Sequence, residues 1–155
     1  MARGTDRTKP MLMLDANVLI YAYRSEEKQH AAARTWLERV FAAPEPIDLP
    51  WQTMLAFLRI TTNHRIFERP LPMPKAQQIV AGWLDQRQVH VIDAGEHFFS
   101  VLSSLLDSAQ IRGPLVTDAA LAALAIENGA TLCTTDRDFA RFVGLKWPTT
   151  LRWAS

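Results

Sequence analysis

Four short, largely apolar runs limit what this chain can become. Residues 11–14, 47–49, 89–92 and 131–134 are each three or four residues long and show no helical period. Each reads as a strand buried on both faces. Between them lie segments whose apolar residues recur at helical spacing. The spacing predicts a helical turn over 17–23 and helices over 29–42, 51–63, 75–86, 96–109 and 117–127. In 29–42 the apolar positions are Trp36, Leu37, Val40 and Phe41; in 96–109 they are Phe98, Val101, Leu102, Leu105 and Leu106. In 51–63, Leu55, Leu58 and Thr62 share a face.

The breaks between these segments have local causes. Pro44 and Pro46 stop the second helical segment, and Pro50 cuts the second strand short. Pro74 suits a first helical turn. Thr117 reads as an N-cap, and Asn128-Gly129 as the end of the helix it opens. A short helical turn is expected at 137–142, and 145–147 as an added edge strand. Strands alternate with helices from end to end, so the strands should run parallel with helices on both faces. The expected fold class is α/β: three layers, α/β/α, around a central parallel sheet of four to five strands.

At 155 residues the chain fits one domain, expected over 11–155 behind a polar, basic tail at 1–10. A hydrophobic share of 48% against 21% charged excludes a disordered polyelectrolyte. The net charge of +1 neither demands nor forbids a nucleic-acid partner, since a local patch of charge decides that. Cys133 is the only cysteine, which excludes an internal disulfide and suits a reducing compartment. No apolar run approaches the ~18 residues of a membrane span, and the tail lacks the apolar stretch of a secretory signal. A cytoplasmic protein is expected.

Three carboxylates occupy the positions where parallel sheets do chemistry, the carboxyl ends of strands. Asp15 follows the first strand, Asp136 stands two residues beyond Thr134, and Asp118 opens a helix after an extended Leu115-Val116 segment. Clustered carboxylates repel one another, and a divalent cation relieves the conflict. All-oxygen ligation points to Mg²⁺ or Mn²⁺ rather than zinc. Such a cation activates water and stabilises charge on a phosphoryl group. Any one of these aspartates read alone is as readily a turn former or a helix cap, as Asp138 is before Phe139. The functional reading rests on the set.

Three segments carry a resemblance. Leu-Asp-Ala-Asn-Val-Leu-Ile at 14–20, Val-Thr-Asp-Ala-Ala-Leu-Ala-Ala-Leu-Ala-Ile-Glu-Asn-Gly-Ala at 116–130 and Thr-Leu-Cys-Thr-Thr-Asp-Arg-Asp-Phe at 131–139 resemble, in order and spacing, the motifs of the PIN domain family. The Trp51 to Ile60 segment is similar to a subgroup of VapC-type toxins from bacterial toxin–antitoxin pairs. The resemblance implies a Mg²⁺- or Mn²⁺-dependent endoribonuclease that leaves a 5′-phosphate, is neutralised by a cognate VapB-type antitoxin and forms a homodimer. By position it implies that Asp15, Asp118 and Asp136 hold the metal, that Asp138 assists, and that Asn17 and Thr134 orient the carboxylates. The chain departs from the family in one place: the helix after the second strand carries no acid where many PIN domains place a Glu. Gln52 or Thr53 is the candidate substitute, and one metal ion the expected stoichiometry.

RNA must approach this negative centre past positive charge. Arg24, Arg59, Arg65, Arg69, Arg112, Arg137 and Arg141 are the candidates, with Arg137 foremost because it lies between two carboxylates. Any single one of them is equally a solvated surface arginine. Trp51 is a candidate base-stacking residue, whereas Trp36 and Trp83 belong on apolar faces. His30, His64, His90 and His97 form no metal-spaced pair. Two other readings remain open. A phosphatase with a nucleophilic Asp15 would want a second Asp where Asn17 stands. A PIN-like domain with weak or lost catalysis would serve as a partner-binding module. A dinucleotide or P-loop fold is excluded, because no glycine-rich loop follows any strand.

Overall fold

The apolar runs pair side by side, all parallel, in the computed structural model, which describes residues 11–148. The expected tail at 1–10 and the last seven residues of the expected domain lie outside the described residues. The strands are β1 (Leu12–Leu14), β2 (Ile47–Pro50), β3 (Val89–Ile92) and β4 (Thr131–Cys133), in the spatial order β3-β2-β1-β4. The helices are α1 (Ala16–Tyr23), α2 (His30–Ala42), α3 (Trp51–Thr61), α4 (Met73–Leu84), α5 (Phe98–Ser108) and α6 (Leu115–Asn128), followed by a 3₁₀ turn at Arg137–Arg141.

The strand order explains the layering. From β1 the chain steps outward to β2 and β3, then returns past β1 to β4. Right-handed crossovers running in opposite directions place their helices on opposite faces. Leu14, Ile47, Leu49 and Cys133 accordingly pack in one core with α1 to α4, while Met13 and Leu132 pack in the other with α5 and α6. In β1 and β4 adjacent residues serve different cores, which is why those runs are apolar without alternation, whereas β3, expected to be buried on both faces, is an edge strand with Val91 40% exposed. Asp48 is the exception, fully buried within β2 and registered opposite Met13 and His90.

Three expectations need correcting. Residues 145–147 do not form a strand; Lys146 makes an isolated parallel bridge to Thr131, and its carbonyl accepts from the Leu132 N–H (2.8 Å). Thr117 is not an N-cap. Pro114 takes that place, Leu115 and Val116 are already helical, and the Thr117 hydroxyl donates back to the Pro114 carbonyl (3.0 Å). The core face of α3 is Thr53, Met54, Phe57 and Thr61, and Leu55 is 58% exposed. The reason is an aromatic cluster: Tyr23, Phe57 and Trp83 meet edge-on with centroids 4.7–5.9 Å apart, joining α1, α3 and α4.

The end of α6 follows its sequence. Gly129 adopts φ +64°, and the Gly129 and Ala130 N–H groups bond back to Ile126 and Ala125 in a Schellman closure.

Candidate active site

The order β3-β2-β1-β4 reverses direction between β1 and β4, and the crevice at such a switch point is where open α/β sheets bind ligands. Asp15 leaves the end of β1 there. Its N–H still donates to the Cys133 carbonyl (3.0 Å), and its carboxylate caps α1 by accepting from the Ala16 N–H (2.7 Å). Asp136 sits just beyond β4 and caps the 3₁₀ turn, its Oδ1 accepting from the Asp138 N–H (2.9 Å). Asp118 arrives from the other layer. It lies in the first turn of α6, where the helix dipole favours a negative charge.

Thr134 holds the first two together. Its side chain is buried to 1% exposure, and every bonding position of its hydroxyl is used. It donates to Asp15 Oδ2 (2.8 Å) and accepts from the Asp136 N–H (3.0 Å) and from Asn17 Nδ2 (3.1 Å). Asn17 Oδ1 in turn faces the Thr135 N–H (3.5 Å). A single buried hydroxyl thus sets two carboxylates and one carboxamide at the mouth of the crevice.

The carboxylates form two overlapping triples. Asp15, Asp118 and Asp136 line one cleft of about 690 Å³. Asp118, Asp136 and Asp138 offer oxygens that all lie within 4.8 Å of one another. Burial pushes the Asp15 carboxyl up to about 6; its Thr134 and Ala16 bonds oppose that rise, and the charges of Asp118 and Asp136 add to it. Asp118 is also raised, by burial first and then by Asp136 and Asp138, with Arg141 acting in the other direction. A site that holds its acids above their ordinary range is short of positive charge. Its donors are all hard oxygens, and each carboxylate oxygen keeps lone pairs beyond the bonds it already accepts. This donor set fits Mg²⁺ or Mn²⁺.

The helix without an acid still reaches the site. Gln52 lines the cleft and donates from Nε2 to the Thr117 carbonyl (2.8 Å), joining α3 to the start of α6. Thr53 is buried and donates to the Leu14 carbonyl (2.8 Å), bracing the end of β1. Of the candidate arginines, Arg59 lines the cleft. Arg141 pairs with Asp138 through Oδ1 (3.3 Å) and the carbonyl (2.9 Å), while Arg137 is exposed on the same turn. The i,i+3 spacing of Asp138 and Arg141 was the signal for that pair. Arg24 does not belong to the rim: it is 4% exposed, bonded to Glu26 and the Arg69 carbonyl, with its guanidinium 4.4 Å from the centre of the Phe67 ring. Trp51 is 47% exposed at the start of α3, and Trp83 is buried, as its helical spacing predicts. The thiol of buried Cys133 is pushed up to about 12, which makes it inert core. Sequence reasoning missed the apolar wall of the cleft, formed by Ile20, Leu55, Ile60 and Leu121.

Known proteins resemble this chain in sequence and fold. The family model described as PIN domain matches residues 12–145. Ribonuclease VapC31 of Mycobacterium tuberculosis is 38% identical over 136 residues, covering 88% of this chain and 96% of that protein. Ribonuclease VapC25 of the same organism is 37% identical over the same share of this chain. Among solved structures, VapBC2 from Rickettsia felis, bound to a DNA fragment from its promoter, superposes with a TM-score of 0.65. It covers 89% of this chain and 97% of that one at 19% identity, a likeness of fold.

Proposed function

Since the chain belongs to the PIN domain family, we propose that it is a metal-dependent endoribonuclease toxin that hydrolyses RNA phosphodiester bonds and is neutralised by a cognate VapB-type antitoxin. One observation carries the reading: Asp15, Asp118 and Asp136 come from three separate segments to one cleft at the sheet's switch point. The relatives' names support it, because VapC31 and VapC25 are ribonucleases.

In this reading Asp15, Asp118 and Asp136 hold one Mg²⁺ or Mn²⁺ ion, with Asp138 completing the oxygen cluster around the last two. A divalent cation there supplies Lewis acidity toward the phosphodiester and lowers the pKa of the attacking water. The protein's own part is positioning. Thr134 and Asn17 fix the directions of Asp15 and Asp136 before substrate arrives. Gln52 keeps α3 against α6, so the cleft wall and the Asp118 carboxylate hold one spacing. Arg141 shields Asp138 and moderates the charge on Asp118. Arg137 and Trp51 are the exposed contacts offered to RNA. A homodimer and a cytoplasmic location complete the proposal; no helix among the described residues is long and apolar enough to cross a membrane.

The test is cleavage of a mixed tRNA and ribosomal RNA pool with Mg²⁺, with Mn²⁺ and with EDTA. Asp15→Asn and Asp118→Asn should each lower cleavage by about a hundredfold or more without loss of fold. Cleavage that persists in EDTA, or that survives both substitutions, refutes the assignment.

A further inference from the structure

Among the described residues, Arg59 is the one cation that lines the cleft holding the carboxylates. Building on the ribonuclease reading, we infer that Arg59 binds a backbone phosphate of the RNA strand adjacent to the one being cleaved.

The α3 helix presents Gln52, Ala56, Arg59 and Ile60 to the cleft, the i, i+4, i+7, i+8 pattern of one helical face. Gln52 is pinned to the Thr117 carbonyl, one residue from Asp118. Arg59 lies seven residues further along, about 10 Å at the helical rise. Side chains on a helix lean toward its N-terminus, so the guanidinium leans toward the carboxylates from the far end of the cleft. Set back along α3 from Gln52 and the Thr117–Asp118 end of the cleft, Arg59 is placed for a phosphate next to the scissile one. The same cleft has an apolar lining of Leu55, Ile60 and Leu121, against which a ribose or base can rest.

Among the described residues, Arg59 is also uncommitted. Arg24 is held by Glu26, Arg34 by Glu38 and Arg141 by Asp138. Among the described residues, no carboxylate lies within ion-pair distance of Arg59. An exposed arginine on the lining of a cleft of aspartates, with no ion-pair partner among the described residues, has a reason to be there if an anion joins it. The planar fork matches two phosphate oxygens, and the apolar wall lowers the local dielectric that would weaken the contact. Along the cleft lining itself, Asp15, Asp118 and Asp136 repel a polyanion, and Arg59 offsets that repulsion.

The experiment is fluorescence anisotropy of a labelled single-stranded oligoribonucleotide, titrated in EDTA at several salt concentrations. Asp118→Asn protein serves as the non-cleaving parent. Adding Arg59→Gln should weaken binding about tenfold and reduce the slope of log affinity against log salt by about 0.7, one phosphate contact on a single strand. Arg59→Lys should restore the slope and part of the affinity. In otherwise wild-type protein, Arg59→Gln should raise KM with kcat retained, and leave the Mn²⁺-induced rise in Tm unchanged. Equal affinity and slope in parent and Arg59→Gln protein overturn the inference alone. So does a loss confined to antitoxin binding, which would make Arg59 a protein-docking residue. A folded parent that binds no RNA overturns the ribonuclease reading as well.

Discussion

Replacing Thr134 with valine removes one oxygen and three hydrogen bonds. The hydroxyl is buried, and it serves three groups at the mouth of the cleft, Asp15 Oδ2, the Asp136 N–H and Asn17 Nδ2. Each bond contributes about 1 kcal/mol net, and the one to a charged carboxylate somewhat more, so the variant should lose about 3–4 kcal/mol. For a domain of this size, that lowers Tm by about 6–15 °C. Thr134→Ser keeps the oxygen and gives up one methyl, about 1 kcal/mol. The pair of variants therefore separates the hydroxyl from the packing. A second readout follows from electrostatics. The Thr134 bond opposes the rise of the Asp15 carboxyl, so in Thr134→Val that acid rises further. Metal uptake, which needs it ionised, should then begin at a higher pH than in wild type. Thermal melts of the three proteins, with Mn²⁺ titrations between pH 5 and 8, check both statements. If Thr134→Val melts within about 1 °C of Thr134→Ser and takes up Mn²⁺ with an unshifted pH profile, the hydroxyl is not the organising centre described above.

Asp15 gives the metal-free protein an unusual pH dependence. Its folded pKa of about 6 lies above the ordinary value of 3.8, so the folded state holds the proton more tightly than the unfolded chain. Stability is then greatest below the lower value and falls as pH rises through that window, by at most about 3 kcal/mol because partial exposure screens the charge. Asp15→Asn should flatten the profile in urea melts, and Mn²⁺ should stabilise wild type more at pH 7.5 than at pH 5. At the far side of the molecule, the Glu127 carboxylate accepts from the Gly95 and His97 N–H groups ahead of α5 (2.9 and 3.0 Å). Glu127→Ala should cost about 1–2 kcal/mol. A Cβ on Gly95 would stand 2.5 Å from Glu127 Oε2, so Gly95→Ala should lose much of the same stability and the double variant little more. Arg141→Gln should raise the Asp118 carboxyl further and move the onset of Mn²⁺ uptake to higher pH, read by the same titration.

Much of this was legible in the chain because it depends on near neighbours. Apolar runs too short for helices, set between segments of helical period, determine a parallel sheet with two covered faces. An aspartate directly after a strand stands at the sheet's carboxyl edge whatever the strand order. The exceptions were decided by packing at a distance. The face α3 buries is chosen by Tyr23 and Trp83, which lie on other helices, so its own apolar spacing pointed to Leu55 when Phe57 is the core residue. Arg24 resembled every other arginine until the loop carrying Phe67 and Arg69 folded over it.

The site divides the same way. Residue types and their order determined which carboxylates were candidates and what ion they could hold. The strand order 3-2-1-4 alone decided that the ends of β1 and β4 adjoin, and that α6 crosses to meet them from the other face. Only there do residues 15, 118 and 136 share a cleft, and only there can one hydroxyl at 134 reach two of them. Side-chain chemistry is local to a residue, whereas the mutual repulsion among these acids exists only at distances that tertiary folding creates.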